Sequence, residues 1–334
     1  MACFLQQNIQ IYMQRENWVD WAKALGILLV VMGHSVYASK DVTSFIFVIH
    51  MPLFFFVSGY LFKTSRSWHE ISVSNVKTLL VPYIGFNIIG FFYYLAICIA
   101  KISVSGGVDW NLYIINQLWR TAFGLANGIF VGPTWFLLAL IWCRYLCKFV
   151  MTSWKHAFVG IALWAVLMYV RRETGVQYPF SVDCGLAGAL WFTAGILFKR
   201  YKQLITVSKA LWCALVVIAG WLCWENYLQY GQPNYIAAKL NGVMGVLGTA
   251  VGLVAFFGLC KLLNGVKVPF IVEVSKASIV VMCLHMMAMR PLQALTHYQG
   301  GTIGTLLGDC FLVVLLTLIY PLIKKYVPAL TGNR

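Results

Sequence analysis

Residues 18–35 read WVDWAKALGILLVVMGHS, an apolar run with an acidic residue, a basic residue and a histidine at defined places. A helix that crosses a bilayer takes about 20 mostly apolar residues. Ionisable groups in such a helix are costly, so Asp20, Lys23 and His34 are functional candidates. A lone buried histidine is often only a packed residue, and Ser35 is then its hydrogen-bond partner or a small packing residue. The stretch predicts a membrane helix in which His34 lies about 16 Å beyond Lys23.

The rest of the chain has the same character. Of its 334 residues, 61% are apolar and 10% charged, against about 25% charged in a typical soluble domain. The fold class is therefore an all-α polytopic membrane helix bundle, with too little length left over for a soluble catalytic or nucleic-acid-binding domain. Charge-poor stretches predict ten transmembrane helices, near 18–38, 44–62, 78–100, 133–150, 156–170, 184–198, 209–224, 242–263, 277–293 and 303–323.

The basic residues predict the orientation of these helices. Under ten spans, 18 of the 25 Lys and Arg residues fall on one side, and basic residues favour the cytoplasmic side. We therefore expect both termini to be cytoplasmic, with residues 1–17 and 324–334 as tails and 18–323 as the membrane domain. Residues 105–130 contain Asp109 and Arg120 and are predicted to form an interfacial or re-entrant segment.

Other sequence signals are weak or absent. The first fourteen residues lack the features of a signal peptide. Ten cysteines are scattered through apolar runs without a CxxC or Cys/His cluster, so we expect neither a disulfide framework nor a metal site. The net charge of +15 has two explanations: the basic residues hold loops in the cytoplasm, or they attract an anionic ligand or an anionic lipid surface.

The second predicted helix adds further polar groups. Residues 47–63 read FVIHMPLFFFVSGYLFK, with His50 near the outer end and Ser58 beside Gly59 near the inner end. The small Ser-Gly pair serves close helix packing or lines a site, and His285 is a further histidine inside a span. Basic residues follow on the cytoplasmic side, where they hold topology or form a basic mouth with Lys23: Lys63, Arg66 and Lys77.

Taken in order, these elements resemble acyltransferase family 3, the multispanning bacterial membrane O-acyltransferases that act on surface polysaccharides. Lys23 and His34 have the spacing of the basic residue and histidine in the first helix of that family, and Asp20 matches its acidic position. Phe54-Phe55 followed by Ser58-Gly59 meets the FFxxSG motif. The remaining matches are Lys63 with Arg66 (where many members carry two arginines), the stretch from Lys77 to Tyr83, Thr134 to Leu137 including Trp135, and Leu284-His285.

The resemblance implies an integral membrane O-acyltransferase of the bacterial inner membrane. It would move an acyl group, with a bias to acetyl, from cytoplasmic acyl-CoA to a hydroxyl of a cell-surface polysaccharide sugar or its lipid-linked precursor. Acetyl-CoA is then a co-substrate, no metal is needed, and the partners are acyl-CoA, the glycan and membrane lipids, without nucleic acid. The alternative is a membrane transporter or exporter of a polysaccharide or small anion. The oligomeric state stays open.

The same resemblance assigns roles to residues. His34 is the catalytic residue, either as a general base or as a covalent acyl carrier. Lys23 and Arg66 would bind the CoA phosphates, and the distance from Lys23 to His34 suits an extended pantetheine arm. Lys63 and Lys77 are further candidates for donor binding. The supporting candidates are Asp20, Ser35, His50, Ser58, Trp135 and His285.

Overall fold

The computed structural model describes residues 16–35, 39–204, 207–296 and 301–332, and within these ranges the chain is almost entirely helical. In chain order the α-helices are α1 (Asn17–Gly33), α2 (Lys40–Leu61), α3 (Trp68–Asn75), α4 (Val81–Ser105), α5 (Asn116–Ala122), α6 (Trp135–Val150), α7 (Trp154–Thr174), α8 (Val182–Tyr201), α9 (Lys209–Tyr230), α10 (Gly242–Leu262), α11 (Pro269–Thr296) and α12 (Gly301–Tyr326).

Ten of these helices have 16 residues or more, and each of them overlaps one of the ten predicted spans. Among the described residues, eight helical segments are long and apolar enough to cross a membrane. The two remaining long helices are α1, with 17 residues, and α7, which carries Lys155, Arg171 and Arg172 near its ends. The all-α polytopic fold is thereby confirmed, and the chain is a multi-pass membrane protein.

The first helix is shorter than the predicted span 18–38. It ends at Gly33, and His34 occupies its C-cap position with φ −102° and ψ 3°. The prediction ran too far because residues 34–38 carry no charge, and a charge-based reading cannot detect where an uncharged helix stops. His34 therefore lies at a helix end, where the backbone turns away, rather than inside a helix.

Helix α1 lies at the centre of the bundle, where it packs against α2, α10, α11 and α12. On its far side, α2 packs closely on α8 through glycines. A Cβ on Gly59 would lie 1.9 Å from the carbonyl oxygen of Phe192, and a Cβ on Gly195 would lie 2.0 Å from that of Phe56. Small residues permit such backbone approach in membrane bundles. The glycine of the FFxxSG motif therefore fixes helix packing.

The segment 105–130 contains no long helix. Gly106 ends α4 in the left-handed conformation with φ 72°, and a π turn at Asn111–Ile115 leads into the short α5. Large apolar side chains on the segment are exposed, among them Trp110, Leu118 and Trp119. This geometry agrees with an interfacial segment at the end of the bundle where α4 ends.

At the opposite end, the chain folds back onto the bundle after α12. A 3₁₀ turn spans Pro328–Thr331, and its Leu330 side chain is buried. Gly85 makes room for it, since a Cβ there would lie 2.2 Å from Leu330 Cδ2. The last described residues, expected to form a tail, thus form part of the wall of a cavity described below.

Candidate functional site

Three histidines from three helices meet near the middle of the bundle. The ring of His34, at the end of α1, lies 5.3 Å from the ring of His285 on α11 and 6.4 Å from that of His50 on α2, measured between centroids. Phe47 packs edge-on against His34 at 5.5 Å. His50 and His285 are fully buried, whereas His34 is only partly covered. Sequence reasoning named all three residues, and the fold brings them together.

The backbone fixes the proton positions of two of these rings. His50 Nδ1 lies 3.0 Å from the Ile46 carbonyl oxygen, and His285 Nδ1 lies 2.8 Å from that of Met282. Carbonyl oxygens only accept hydrogen bonds, so both Nδ1 atoms donate and each neutral ring keeps its lone pair on Nε2. His285 Nε2 is buried and has no partner in the described part of the chain. Both rings therefore present acceptor atoms.

A cavity of about 240 Å³, the central cavity, lies beside these histidines. His34, His50 and Trp135 line it, together with residues 232–236 of the loop between α9 and α10. Tyr235 in that loop is buried and accepts a hydrogen bond of 2.6 Å from Trp191 Nε1. Sequence reasoning missed this loop, whose residues sit outside every predicted span.

A second, basic cavity of about 430 Å³ opens at the end of the bundle that carries Lys23, and we call it the inner cavity. Lys23, Ser58 and Arg66 line it, as the sequence suggested. Arg144 and Lys276 line it too, and its described wall contains no Asp or Glu. Four cationic side chains around one cavity favour an anionic ligand.

In the sequence, Arg144 is one of the 18 basic residues that predict the cytoplasmic side, but it also lies inside the predicted span 133–150. An ionisable residue within a span is a functional candidate, as for His34. Arg144 Nη1 donates to Asn75 Oδ1 at 2.9 Å. That bond holds the guanidinium of α6 toward the junction of α3 and α4. The short helix α3 was not predicted, which hid this contact.

Other predicted donor residues lie elsewhere. Lys63 and Lys77 are exposed and do not line the inner cavity. Asp20 is buried and accepts a hydrogen bond of 2.6 Å from Ser275 Oγ, which ties α1 to α11 near the Lys23 end. Within the described residues, Asp20 therefore joins two helices behind the cavity wall.

The inner and central cavities share three side chains, Phe54, Phe136 and Met282, which form a thin apolar septum between them. The two phenylalanine rings meet edge-on with centroids 6.2 Å apart. Methionine is flexible and fills irregular gaps. A narrow, adaptable passage through this septum would connect the basic end of the bundle with the histidines.

A third cavity, of about 460 Å³, lies on the far side of His34, and we call it the outer cavity. It shares His34 and Trp135 with the central cavity. The segment 105–130 forms much of its wall, and residues 131–133, α4, α11 and Ile236 of the loop between α9 and α10 contribute to the rest. Its polar lining residues are Tyr93, Tyr94, Asn116, Gln117, Asn127 and Arg290.

Asp309 on α12 is a buried acid. In the sequence it was a candidate interfacial charge or a partner of Arg290, and was not assigned to the histidine site. Ser35, directly after His34, forms a side-chain hydrogen bond with Asp309. Its other oxygen, Oδ2, is buried without a partner in the described ranges. The serine considered as a partner of His34 is thus tied to α12, and this contact holds the residue next to His34.

The three cavities form a series through the bundle, and His34 stands where the last two meet. An imidazole in that position has the chemistry of a general base or of a nucleophile. The inner cavity has the charge to hold phosphate groups, and the outer cavity has amide and phenol groups that suit hydroxyl-rich ligands.

Comparison with known proteins adds a family to this geometry. The model of a family described as an acyltransferase domain matches residues 16–324, nearly the whole chain. The nodulation protein NolL of Mesorhizobium japonicum is 24% identical over 242 residues, which cover 66% of this chain and 58% of that protein. The chain thus spans less than two thirds of the length of that relative. No solved structure matches the chain.

Proposed function

Because the chain belongs to acyltransferase family 3, we propose that this membrane acyltransferase moves an acetyl group from cytoplasmic acetyl-CoA to a hydroxyl of a surface polysaccharide sugar or its lipid-linked precursor. The membrane concerned is the bacterial inner membrane. The observation that carries the proposal is the series of three cavities. The inner cavity is lined by four cationic side chains, whereas the outer cavity is lined by polar groups of which Arg290 alone is charged among the described residues. His34 lies between these two cavities.

The donor would enter the inner cavity. CoA carries several phosphates, and the side chains of Lys23, Arg66, Arg144 and Lys276 supply positive charge without a lining carboxylate to compete. Charge-assisted hydrogen bonds to phosphate are among the stronger ones in proteins. The pantetheine arm would then pass the septum, along roughly the 16 Å of helix between Lys23 and His34.

The acceptor would enter the outer cavity, and its hydroxyl would approach His34 from that side. In the general-base route, an imidazole nitrogen of His34 takes the hydroxyl proton while the oxygen attacks the thioester carbonyl. The C–S bond breaks, the ester forms, and the CoA thiolate takes the proton from the imidazolium. In the covalent route, the imidazole first displaces CoA and the hydroxyl then attacks the acyl-imidazole. Either route leaves CoA and an O-acetylated sugar.

The neighbouring histidines suit either route. Their Nδ1 atoms donate to backbone carbonyl oxygens, so their Nε2 atoms remain as hydrogen-bond acceptors. The two rings lie 5.3 and 6.4 Å from that of His34 between centroids, so acceptor atoms would neighbour a protonated His34. The small central cavity favours a short acyl chain.

The test uses purified protein in liposomes loaded with radiolabelled acetyl-CoA, with polysaccharide or lipid-linked glycan outside. We expect label to appear as alkali-labile ester on the glycan, and His34→Ala to abolish it. Movement of glycan or anion across the bilayer without any ester would instead support a transporter and overturn the proposal.

A further inference from the structure

The outer cavity has one charged lining residue in the described structure, Arg290 near the outer end of α11. Its guanidinium is exposed, and among the described residues it donates a long hydrogen bond of 3.4 Å to Tyr94 Oη. The described part of the cavity wall contains no Asp or Glu. The guanidinium of Arg290 thus lies at a polar cavity that His34 also lines, and no carboxylate of the described wall neutralises its charge.

Other cations at this end of the bundle are differently placed. Arg171 is buried and forms an ion pair of 2.6 Å with Asp183. Arg120 donates to Asn116 Oδ1 and to the Asn127 carbonyl oxygen, and so braces the segment behind the cavity. Arg171 and Arg120 thus make structural contacts within the protein, whereas Arg290 lines the cavity in which a ligand would bind.

Neutral hydrogen-bonding groups surround that arginine. The side chains of Tyr93, Asn116 and Asn127 line the same cavity, and Gln117 Oε1 is buried without a partner in the described chain. Amides and phenols suit sugar hydroxyls. A buried acceptor without a donor is costly and points to a group that a ligand would supply.

We propose that the outer cavity recognises an anionic acceptor, and that Arg290 is its specificity-determining residue. The inference rests on the proposed function. The shared chemistry is a carboxylate or phosphate oxygen bound to the guanidinium while a hydroxyl of the same molecule reaches His34. Two sources supply such a group: the carboxylate of an acidic sugar, or the phosphate that links a glycan to a lipid carrier. Arginine binds both in a two-pronged geometry that lysine lacks.

The experiment compares three acceptors with the wild-type protein and its variants: a neutral oligosaccharide, the same chain with a uronic acid, and the neutral chain on an isoprenyl phosphate. Arg290→Gln removes the charge and Arg290→Lys keeps it. Arg172→Gln is the matched control, because that arginine is exposed at the same end of the bundle and lies outside the cavity.

We expect the wild-type protein to have a KM for at least one anionic acceptor about 10-fold or more below that for the neutral one. Arg290→Gln should raise that KM to the neutral value with kcat little changed, Arg290→Lys should recover part of the loss, and Arg172→Gln should change nothing. A preference for the uronic acid identifies the sugar as the source of charge, and a preference for the isoprenyl phosphate identifies the lipid carrier. Equal KM values for all three acceptors, or a preference that survives Arg290→Gln, would overturn the inference.

A binding measurement separates this inference from the proposed function. Fluorescently labelled versions of the three acceptors are titrated onto His34→Ala protein, which needs no turnover. Anionic binding that Arg290→Gln weakens about 10-fold supports the site even if no ester ever forms. Binding that is the same with and without Arg290 shows that the side chain only reaches toward lipid headgroups, and the inference then fails whatever the enzyme assay gives.

Discussion

The two ends of the bundle offer cavities of nearly equal size, about 430 Å³ and 460 Å³, with opposite chemistry. The inner one is lined by four cationic side chains, the outer one by tyrosines, amides and one arginine. Basic residues hold cytoplasmic loops in place in any membrane protein. Here, however, four of them converge on one cavity, which orientation alone does not require.

The difference separates recognition of the two proposed substrates. A polyanionic donor would be attracted to one end, and a hydroxyl-rich acceptor would be held at the other. His34 and Trp135 border both the central and outer cavities, so the reacting atoms would meet near them. We call the place at His34 where the central and outer cavities meet the junction. Substitutions at one end of the bundle, at the junction or in the helices behind it should therefore have separable effects.

The largest effect is expected at the junction. His34→Ala should reduce acetyl transfer by about 100-fold or more, because loss of a positioned acid–base group costs roughly 10²- to 10⁴-fold. Membrane insertion should persist, since alanine in an apolar setting adds no desolvation cost. His156→Ala is the control, because that histidine is bonded to Ser153 at the far end of α7.

The measurement is initial rate of ester formation at saturating donor, with protein level and donor affinity determined on the same preparations. Near wild-type turnover in His34→Ala would exclude this residue from the chemistry and leave it with a packing role against Phe47.

The next effect is expected at the inner cavity. Arg66→Ala and Arg144→Ala should each weaken acetyl-CoA binding by about 1–3 kcal/mol, roughly 5- to 150-fold, as lost charge-assisted hydrogen bonds do. The acceptor KM should stay unchanged. Lys77→Ala is the control, because Lys77 is exposed at the same end but lies outside the cavity.

Isothermal titration with acetyl-CoA and with desulfo-CoA checks this prediction. If the Lys77 variant loses as much affinity as the two cavity variants, the cations act only through the overall field of that membrane face. That result would contradict specific binding of the donor by the cations that line the inner cavity.

The sequence predicted the residues of the two ends of the bundle unequally well. Lys23 and His34 were identified because both interrupt a single apolar run, and their helical spacing predicts a fixed distance. The outer cavity was not identified because its wall comes from a segment with no clear periodicity, residues 105–130, and from the loop at 232–236. Polar loop residues look alike in sequence, and only the fold brings them onto His34.

Lys63 and Lys77 were predicted as donor-binding candidates but do not line the inner cavity. They follow the second span as Arg66 does, and the sequence offers no reason to separate the three. The separation depends on the short helix α3 and the π turn at Val76–Leu80, which direct the backbone between them. A composition-based reading finds charged residues at a membrane face but cannot determine which of them turn inward.

An intermediate effect is expected behind the junction. Asp309→Asn and Ser35→Ala should each lower kcat by about tenfold, because the Ser35–Asp309 hydrogen bond holds the residue that follows His34. A displacement of reacting groups by about 1 Å costs roughly 100-fold, and the smaller loss corresponds to a smaller displacement of His34. The donor KM should be unchanged. Thr317→Ala is the control, since Thr317 is buried on the same helix and bonded to the Val313 carbonyl oxygen.

Steady-state kinetics at varied donor concentration separates kcat from KM here. A rise in donor KM with constant kcat would place Asp309 in donor binding, and equal losses in the Thr317 variant would indicate general destabilisation of α12.

The smallest effect concerns an inner-end cation that does not line the inner cavity. Lys202 donates to Glu16, which also accepts hydrogen bonds of 2.6 Å from Tyr60 Oη and Trp18 Nε1. Although partial burial alone would raise the pKa of the Glu16 carboxyl, the hydrogen bonds from Lys202, Tyr60 and Trp18 lower it from 4.5 to about 2. These groups join α1, α2 and the end of α8, so the cluster is expected to stabilise the fold without binding the donor.

Glu16→Gln should therefore lower the free energy of unfolding by only about 1 kcal/mol or less, the usual worth of a partly exposed ion pair. Since the folded pKa lies below the ordinary value, the stabilising contribution is fully present above pH 4.5 and is lost as the pH falls toward 2. Thermal unfolding of the wild-type and Glu16→Gln proteins in detergent should consequently differ at pH 7 and converge on acidification. Acetyl-CoA affinity should be equal in the two proteins at pH 7. If Glu16→Gln instead changes donor affinity as much as Arg66→Ala does, donor recognition extends beyond the cations of the inner cavity, and the division between binding and structural cations at this end is wrong.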